Sequence, residues 1–451
     1  MLVFSGQGFF GSMAERRRVV IIGAAGRDFH NFNVFFRGNS SYEVVCFTAE
    51  QIPGIAGRKY PPVLAGELYP QGIPIEEERN LEKIILENSV DVGVLSYSDL
   101  SYARVGGISA RVNACGADFW LLGPKATQLK SSKPVIAVCA VRTGAGKSQV
   151  SRHVSFLLKE AGKKTVSVRH PMPYGDLAKQ VVQRFACFED LEKNECTIEE
   201  MEEYEPYVER GLVVYAGVDY EAILRQAEKE ADVIVFDGGN NDMPFFKPDL
   251  LITVADPHRP GHELAYYPGE ANVRMADVVI INKVDSARPE DVALVEANVR
   301  RVNPRAKIIK AVSRIVVERE AELKGKRVIV VEDGPTLTHG EMRYGAGMIA
   351  AQRAGAIVVD AKPFAVGSIK ATYEKYSHLT TILPAMGYGK QQMSELEQTI
   401  AAAKDVDAII IGTPIDLAKH VKIDKPAYRV TYEYVDAHGE LKKILCERGF
   451  L

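Results

Sequence analysis

From Arg18 onward the chain alternates short runs of β-branched residues with longer stretches of helical periodicity. That alternation predicts a largely parallel sheet covered by helices. In the first third, strands are expected at Val19–Ile22, Glu43–Phe47, Val92–Ser96 and Phe119–Leu122, with a helix near Glu77–Glu87. Ser131-Ser132-Lys133-Pro134 reads as a linker. Beyond it, strands are expected at Val135–Val141, Thr165–Val168, Val213–Tyr215, Val233–Phe236, Leu251–Val254, Val278–Ile281 and Lys307–Ala311. A third block starts near Gly325, with strands at Val328–Val331, Ala356–Val359, Thr380–Leu383 and Ala408–Ile411. The expected division is a disordered extension at 1–17, an N-terminal α/β domain at 18–130, a second domain at 131–323 and a C-terminal α/β domain at 324–451.

One stretch breaks the alternation. Between Glu189 and Glu209 lie ten acids and a single base, Lys193. Such a run is expected to be an exposed helical insertion; the alternative is a mobile lid or subunit contact beside a site. The 451 residues carry 56 Lys+Arg against 59 Asp+Glu, a formal −3, and removing that segment's ten acids and one base leaves +6. A near-neutral total argues against a nucleic-acid partner, while a mildly basic body suits small phosphorylated substrates. The six cysteines show no C-x-x-C spacing, which points to reduced thiols in a cytoplasmic protein. No apolar run is long enough to suggest a membrane partner, and Arg16–Arg18 follows the apolar start, the wrong order for a secretory leader.

The strand ending at Val141 leads into Arg142-Thr143-Gly144-Ala145-Gly146-Lys147-Ser148-Gln149, and an amphipathic helix follows. A phosphate cradle needs this order. Glycines let backbone amides converge on the phosphates, Lys147 reaches the β- and γ-phosphates, and Ser148 can hold Mg²⁺. Val141 stands where the full motif has its first glycine. Val233–Phe236 closes on Asp237, the expected second metal ligand and catalytic carboxylate, and the polar loop Gly238-Gly239-Asn240-Asn241-Asp242 follows. Asn282-Lys283-Val284-Asp285, with Ser313 further on, has the order of a base pocket. Asp285 favours guanine chemically, whereas ATP users place similar loops around adenine, so both nucleotides stand. The expected class is α/β: a parallel-sheet P-loop NTPase core flanked by N-terminal Rossmann-like and C-terminal α/β domains.

Other polar clusters sit at strand ends, where open α/β sheets bind ligands. Arg142 occupies the position of the signature lysine of dimeric P-loop proteins, so it reads either as a catalytic finger across a homodimer or as a surface arginine. His170–Asp176 and Asp256–Glu263 place His170, His258 and Arg259 for an anionic substrate; His258, His262 and Glu263 as zinc ligands is the competing reading. In the first block, Gly23–His30 lacks the third glycine of a dinucleotide fingerprint and reads better as an anion pocket using turn amides and Arg27, with Arg58 and Lys59 as further candidates. Glu332–Gly340, Pro384–Gly389 and Gly412–Asp416 are turns or walls of a cleft.

Taken together, Val-Arg-His170-Pro-Met-Pro-Tyr-Gly, Gly217-Val-Asp-Tyr220, Asp237-Gly-Gly-Asn-Asn-Asp and Glu332-Asp-Gly-Pro-Thr-Leu-Thr-His339-Gly resemble the cyclic 2,3-diphosphoglycerate synthetases from about Arg18 to near the C-terminus. The resemblance implies a cytoplasmic enzyme that uses ATP and Mg²⁺ to join the two phosphates of 2,3-diphosphoglycerate into an anhydride, releasing ADP and phosphate. It implies Arg27, His30, His170, Asn240, Asn241, His258 and Arg259 as substrate contacts. A GTPase switch or metallochaperone is the alternative.

Overall fold

A computed structural model of the chain describes residues 16–451 apart from 25, 51–54, 171–174, 240, 241, 339–341, 387 and 388. The extension expected at 1–17 therefore lies outside the described residues except for Arg16 and Arg17, and Arg17 opens the first strand. The described residues form two compact units: one reaches to Ser96 and takes in Gly107–Ala126, and the other comprises Tyr97–Gly106 and Thr127–Leu451. The boundary expected at 324 falls inside the second unit.

The first unit carries a six-stranded sheet in the order Lys59–Tyr60, Ile73–Glu77, Tyr42–Ala49, Arg17–Ile22, Val92–Leu95, Asp118–Trp120. Val19, Val20, Ile21 and Ile22 are all fully buried, as a strand covered on both faces requires. Phe29 stacks on Tyr60 at 4.7 Å and meets Phe47 edge-on at 5.1 Å, closing an aromatic core over the strands.

The second unit is built on a 13-stranded sheet. Val135–Ala140 lies between Val233–Gly238 and Leu250–Ala255, with Thr165–Arg169 and Val213–Ala216 beyond the first and Val278–Ile281 beyond the second; all are parallel. The expected strand at Lys307–Ala311 runs on to Val317. Its first residues pair in parallel with Val278–Ile281, and Ala311–Val317 pairs antiparallel with Ala427–Asp436. Ala427–Asp436 in turn pairs in parallel with Ala408–Gly412, so one continuous sheet joins the P-loop block to the third block. The third block has its own core, in which Val328–Val331 and Ile409–Ile411 are fully buried.

The acidic stretch is divided: Glu189, Glu192 and Glu195 are exposed, whereas the acids of its second helix are largely buried. Thr197 caps the helix Ile198–Val208 in a reciprocal box with Glu200. Glu200, Glu202 and Glu205 are 3%, 6% and 1% exposed. Acids along and just beyond the helix find partners far away in sequence: Glu203 pairs with Arg169, Glu205 bonds to His420 at 3.0 Å and Glu209 pairs with Arg429 at 3.1 Å. Tyr204 is fully buried and stacks on Phe185 at 4.5 Å. A linear charge count cannot see such partners, so the exposed-insertion expectation describes the first half of the stretch and not the second. Tyr204→Ala should therefore cost about 3–5 kcal/mol in urea unfolding, the range for an emptied aromatic core site; a loss under about 0.5 kcal/mol would mark a surface position.

Candidate functional site

Because the strands are parallel, their carboxyl ends bring Thr143–Ser148, Asp237, Asp256 and Asn282 to one edge. Gly144 and Gly146 take φ of 80° and 104°, and a Cβ on Gly146 would lie 2.2 Å from the Asn282 amide nitrogen. Only glycine fits there. Three successive loop carbonyls are held by side chains: Thr143 O by Arg259 at 2.8 Å, Gly144 O by Lys283 at 2.6 Å and Ala145 O by Asn282 at 3.1 Å. In trans peptides the N–H groups of Gly144 and Gly146 then turn the other way, as a phosphate cradle demands.

Asp237 is fully buried at the centre of this edge. Its carboxylate accepts from Lys147 Nζ at 2.8 Å, Ser151 Oγ at 2.6 Å and Tyr207 Oη at 2.6 Å, and it pairs with Arg169. Burial alone would raise its pKa, but Arg169 and Lys147 hold it well below the carboxylate range. Burial lowers Lys147 to about 8, against the pull of Asp237. Arg169 Nη1 also donates to Ser148 Oγ at 3.0 Å. Ser148 and Asp237 are hard oxygen donors of the kind Mg²⁺ takes, and they already hold a cation between them. They fit the metal.

A cavity of about 430 Å³ opens over this edge, lined wholly by the second unit. Lys147, Ser148 and Gln149 form one wall, with Asp285 and Ser313 at its side; Gln149 Nε2 donates to Ser313 Oγ at 3.1 Å. Glu202, Glu203 and Asp333 bring negative charge to other parts of the same cavity, and Glu332 adds a buried carboxyl. Glu332, 2% exposed, accepts the N–H groups of Gly345 at 3.1 Å and Met348 at 2.9 Å at the start of the helix Ala346–Ala354.

Several expected roles shift. Arg142 is 2% exposed, paired with Asp99 at 2.6 Å, bonded to His262 Nδ1 at 2.6 Å and stacked over Tyr266 at 3.7 Å. Buried in this way it cannot reach across a dimer as a finger. Arg259 braces Thr143 and Asp256, at 3.2 Å, instead of standing free for a substrate. His258 lines the cavity and bonds Asp256 at 3.0 Å. His262 faces Arg142, and among the described residues no group of three or more His, Cys, Asp and Glu side chains is arranged to hold a metal ion. Arg27 and His30 are buried in the first unit, outside the cavity lining. His170 follows Arg169 at the strand end and packs against Gly239; Asn240 and Asn241 lie outside the described residues. Sequence reasoning missed Arg169, Glu203, Tyr207 and Asp256; a basic residue ending a buried strand beside the P-loop was the one available signal.

Residues 210–312 match the family described as cyclic 2,3-diphosphoglycerate synthetase, P-loop domain. The arginine synthetase ArcE of Thermococcus kodakarensis is 64% identical over 439 residues, 96% of this chain and 98% of its own. The chain belongs to the family of that arginine synthetase. It is a P-loop ATP-dependent synthetase. More distant relatives are cyclic 2,3-diphosphoglycerate synthetases: that of Thermococcus sibiricus is 27% identical over 27% of this chain and 29% of its own, and that of Pyrococcus furiosus 29% identical over 22% of each. Among solved structures, LpxK from Aquifex aeolicus in complex with ATP aligns at a TM-score of 0.45 and 15% identity, covering 82% of this chain and 100% of its own. Among the described residues no helix is long and apolar enough to cross a membrane.

Burial pushes Glu332 up to about 8, Asp333 adding to the rise while the backbone N–H groups oppose it. A carboxyl whose pKa is raised on folding stabilises the fold fully below its unfolded value near 4.5 and loses that contribution as pH climbs toward 8. Wild type should therefore lose more unfolding free energy than Glu332→Gln between pH 5 and pH 8.5 in urea titrations. Equal losses would contradict this.

Proposed function

We propose that this protein is an ATP-dependent, arginine-forming synthetase. The observation that carries the reading is the cavity's make-up, a phosphate cradle on one wall and carboxylates on the other. The arginine synthetase, 64% identical over 98% of its length, supports it. Amines and guanidinium groups are cations and hydrogen-bond donors, and suit the Asp333 carboxylate and the Glu332 carboxyl beside it. A diphosphoglycerate, bearing several negative charges, would meet repulsion there.

The chemistry follows from the product. A guanidinium arises from a ureido group when nitrogen replaces its oxygen, and that oxygen leaves only after activation. The ureido oxygen of citrulline attacks the γ-phosphorus of ATP, releasing ADP and forming an O-phosphorylated isourea. Ammonia adds to the carbon, the C–O bond breaks, and phosphate departs with the ureido oxygen. Lys147 and the loop amides stabilise the transferring phosphoryl charge. Bound at Ser148 and Asp237, Mg²⁺ would supply further charge neutralisation. Glu332 takes the proton of the incoming ammonium, its pKa of about 8 matching that task near neutral pH. Arg152, on the P-loop helix, lines the cavity at 6% exposure without an ion-pair partner among the described residues, and it receives the amino acid's α-carboxylate.

The second reading, closure of 2,3-diphosphoglycerate to its cyclic anhydride, is favoured by the P-loop family match at 210–312. One assay separates the two. With ATP, citrulline and ammonium, chromatography should show arginine forming with equimolar ADP and phosphate; no arginine, together with a cyclic anhydride in phosphorus NMR when 2,3-diphosphoglycerate is supplied, would overturn the proposal. Arg152→Met should raise KM for citrulline by about two orders of magnitude and leave KM for ATP within a few-fold, the size expected when a buried charge loses its partner.

A further inference from the structure

Arg169 ends the strand Thr165–Arg169 with its side chain 4% exposed. Its Nη1 contacts both oxygens suited to a divalent metal, Ser148 Oγ at 3.0 Å and an oxygen of Asp237, while Nη2 pairs with Glu203 on the acidic helix. Two cations, Lys147 and Arg169, thus face two anions, Asp237 and Glu203, in one buried cluster. A divalent ion entering between Ser148 and Asp237 would add charge next to a guanidinium already there. Asp237 already accepts from four donors on its two oxygens, so a metal bound directly there must displace one, and Arg169 is the one that also holds Ser148.

We propose that Arg169 and the nucleotide-borne divalent metal compete for one site. Arg169 keeps Ser148 and Asp237 in place before nucleotide binds. When the metal takes those oxygens, Arg169 stays tethered to Glu203 beside the incoming phosphates. The acidic helix thereby serves as the berth that lets a fixed cation yield to a mobile one. This inference concerns nucleotide and metal binding and stands apart from the identity of the amino-acid substrate.

The test titrates Mg²⁺ against the full chain and a non-hydrolysable ATP analogue, reading nucleotide affinity by calorimetry. Arg169→Met should lower the half-saturating Mg²⁺ concentration by about ten-fold or more, the effect expected on removing a like charge from beside a bound cation. Arg169→Lys, which keeps the charge, should stay within about two-fold of wild type. Asp237 retains Lys147, Ser151 and Tyr207 in both variants, so its charge stays compensated. Should Arg169→Met not fold, Glu203→Gln, at a side chain 29% exposed, serves instead. It leaves Arg169 held by Asp237 and Ser148 alone and should raise the half-saturating concentration several-fold. A midpoint unchanged or raised in folded Arg169→Met, or unchanged or lowered in Glu203→Gln, would overturn the proposal.

Discussion

The site is organised around one buried charge. A carboxylate with no exposure to water is strongly unfavourable unless cations and hydrogen bonds replace its solvent, and breaking such a set by removing one partner costs about 3–5 kcal/mol. Asp237 meets that demand with Lys147, Arg169, Ser151 and Tyr207. Those partners come from the P-loop helix, the neighbouring strand and the acidic helix, so the requirement of a single oxygen pair draws three elements to one point. Glu203 then balances the second cation. The geometry of the phosphate cradle follows, since Lys147 is positioned by Asp237 while Lys283, Asn282 and Arg259 fix the loop carbonyls behind it.

The acidic helix and the third block become intelligible from the same point. A sheet that ended at Lys307–Val317 would leave the cavity without Glu332 and Asp333. Pairing of that strand with Ala427–Asp436, and of the latter with Ala408–Gly412, carries Glu332 and Asp333 into the lining of the cavity. One cavity therefore holds cations and loop amides on one wall and carboxyl groups on another. That division of charge suits a transfer in which an oxygen is phosphorylated and then displaced by an amine.

What could be read from the sequence was local in character. Gly144–Ser148, Asp237 and Asn282–Asp285 were legible because a strand, a turn and a side chain at fixed spacing carry their chemistry wherever the chain folds. Arg142 was not. Asp99 precedes it by 43 residues and His262 follows it by 120, and together they hold it inside the protein. The acidic stretch was misread for the same reason, its partners Arg169, His420 and Arg429 being remote. Ala427–Asp436 carries no continuous β-branched run to mark it, because its burial alternates, as in an antiparallel strand with one face exposed. Glu332 and Asp333 appeared as turn residues after a strand, and only their place on the cavity wall gives them a chemical role.

The most direct measurement of the central claim follows the fate of one atom. Citrulline labelled with ¹⁸O in its ureido group is turned over with ATP and ammonium, and the phosphate released is analysed by mass spectrometry or phosphorus NMR. Transfer of the γ-phosphoryl group to that oxygen predicts one ¹⁸O in every phosphate formed with arginine. Arginine accompanied by unlabelled phosphate would contradict the account.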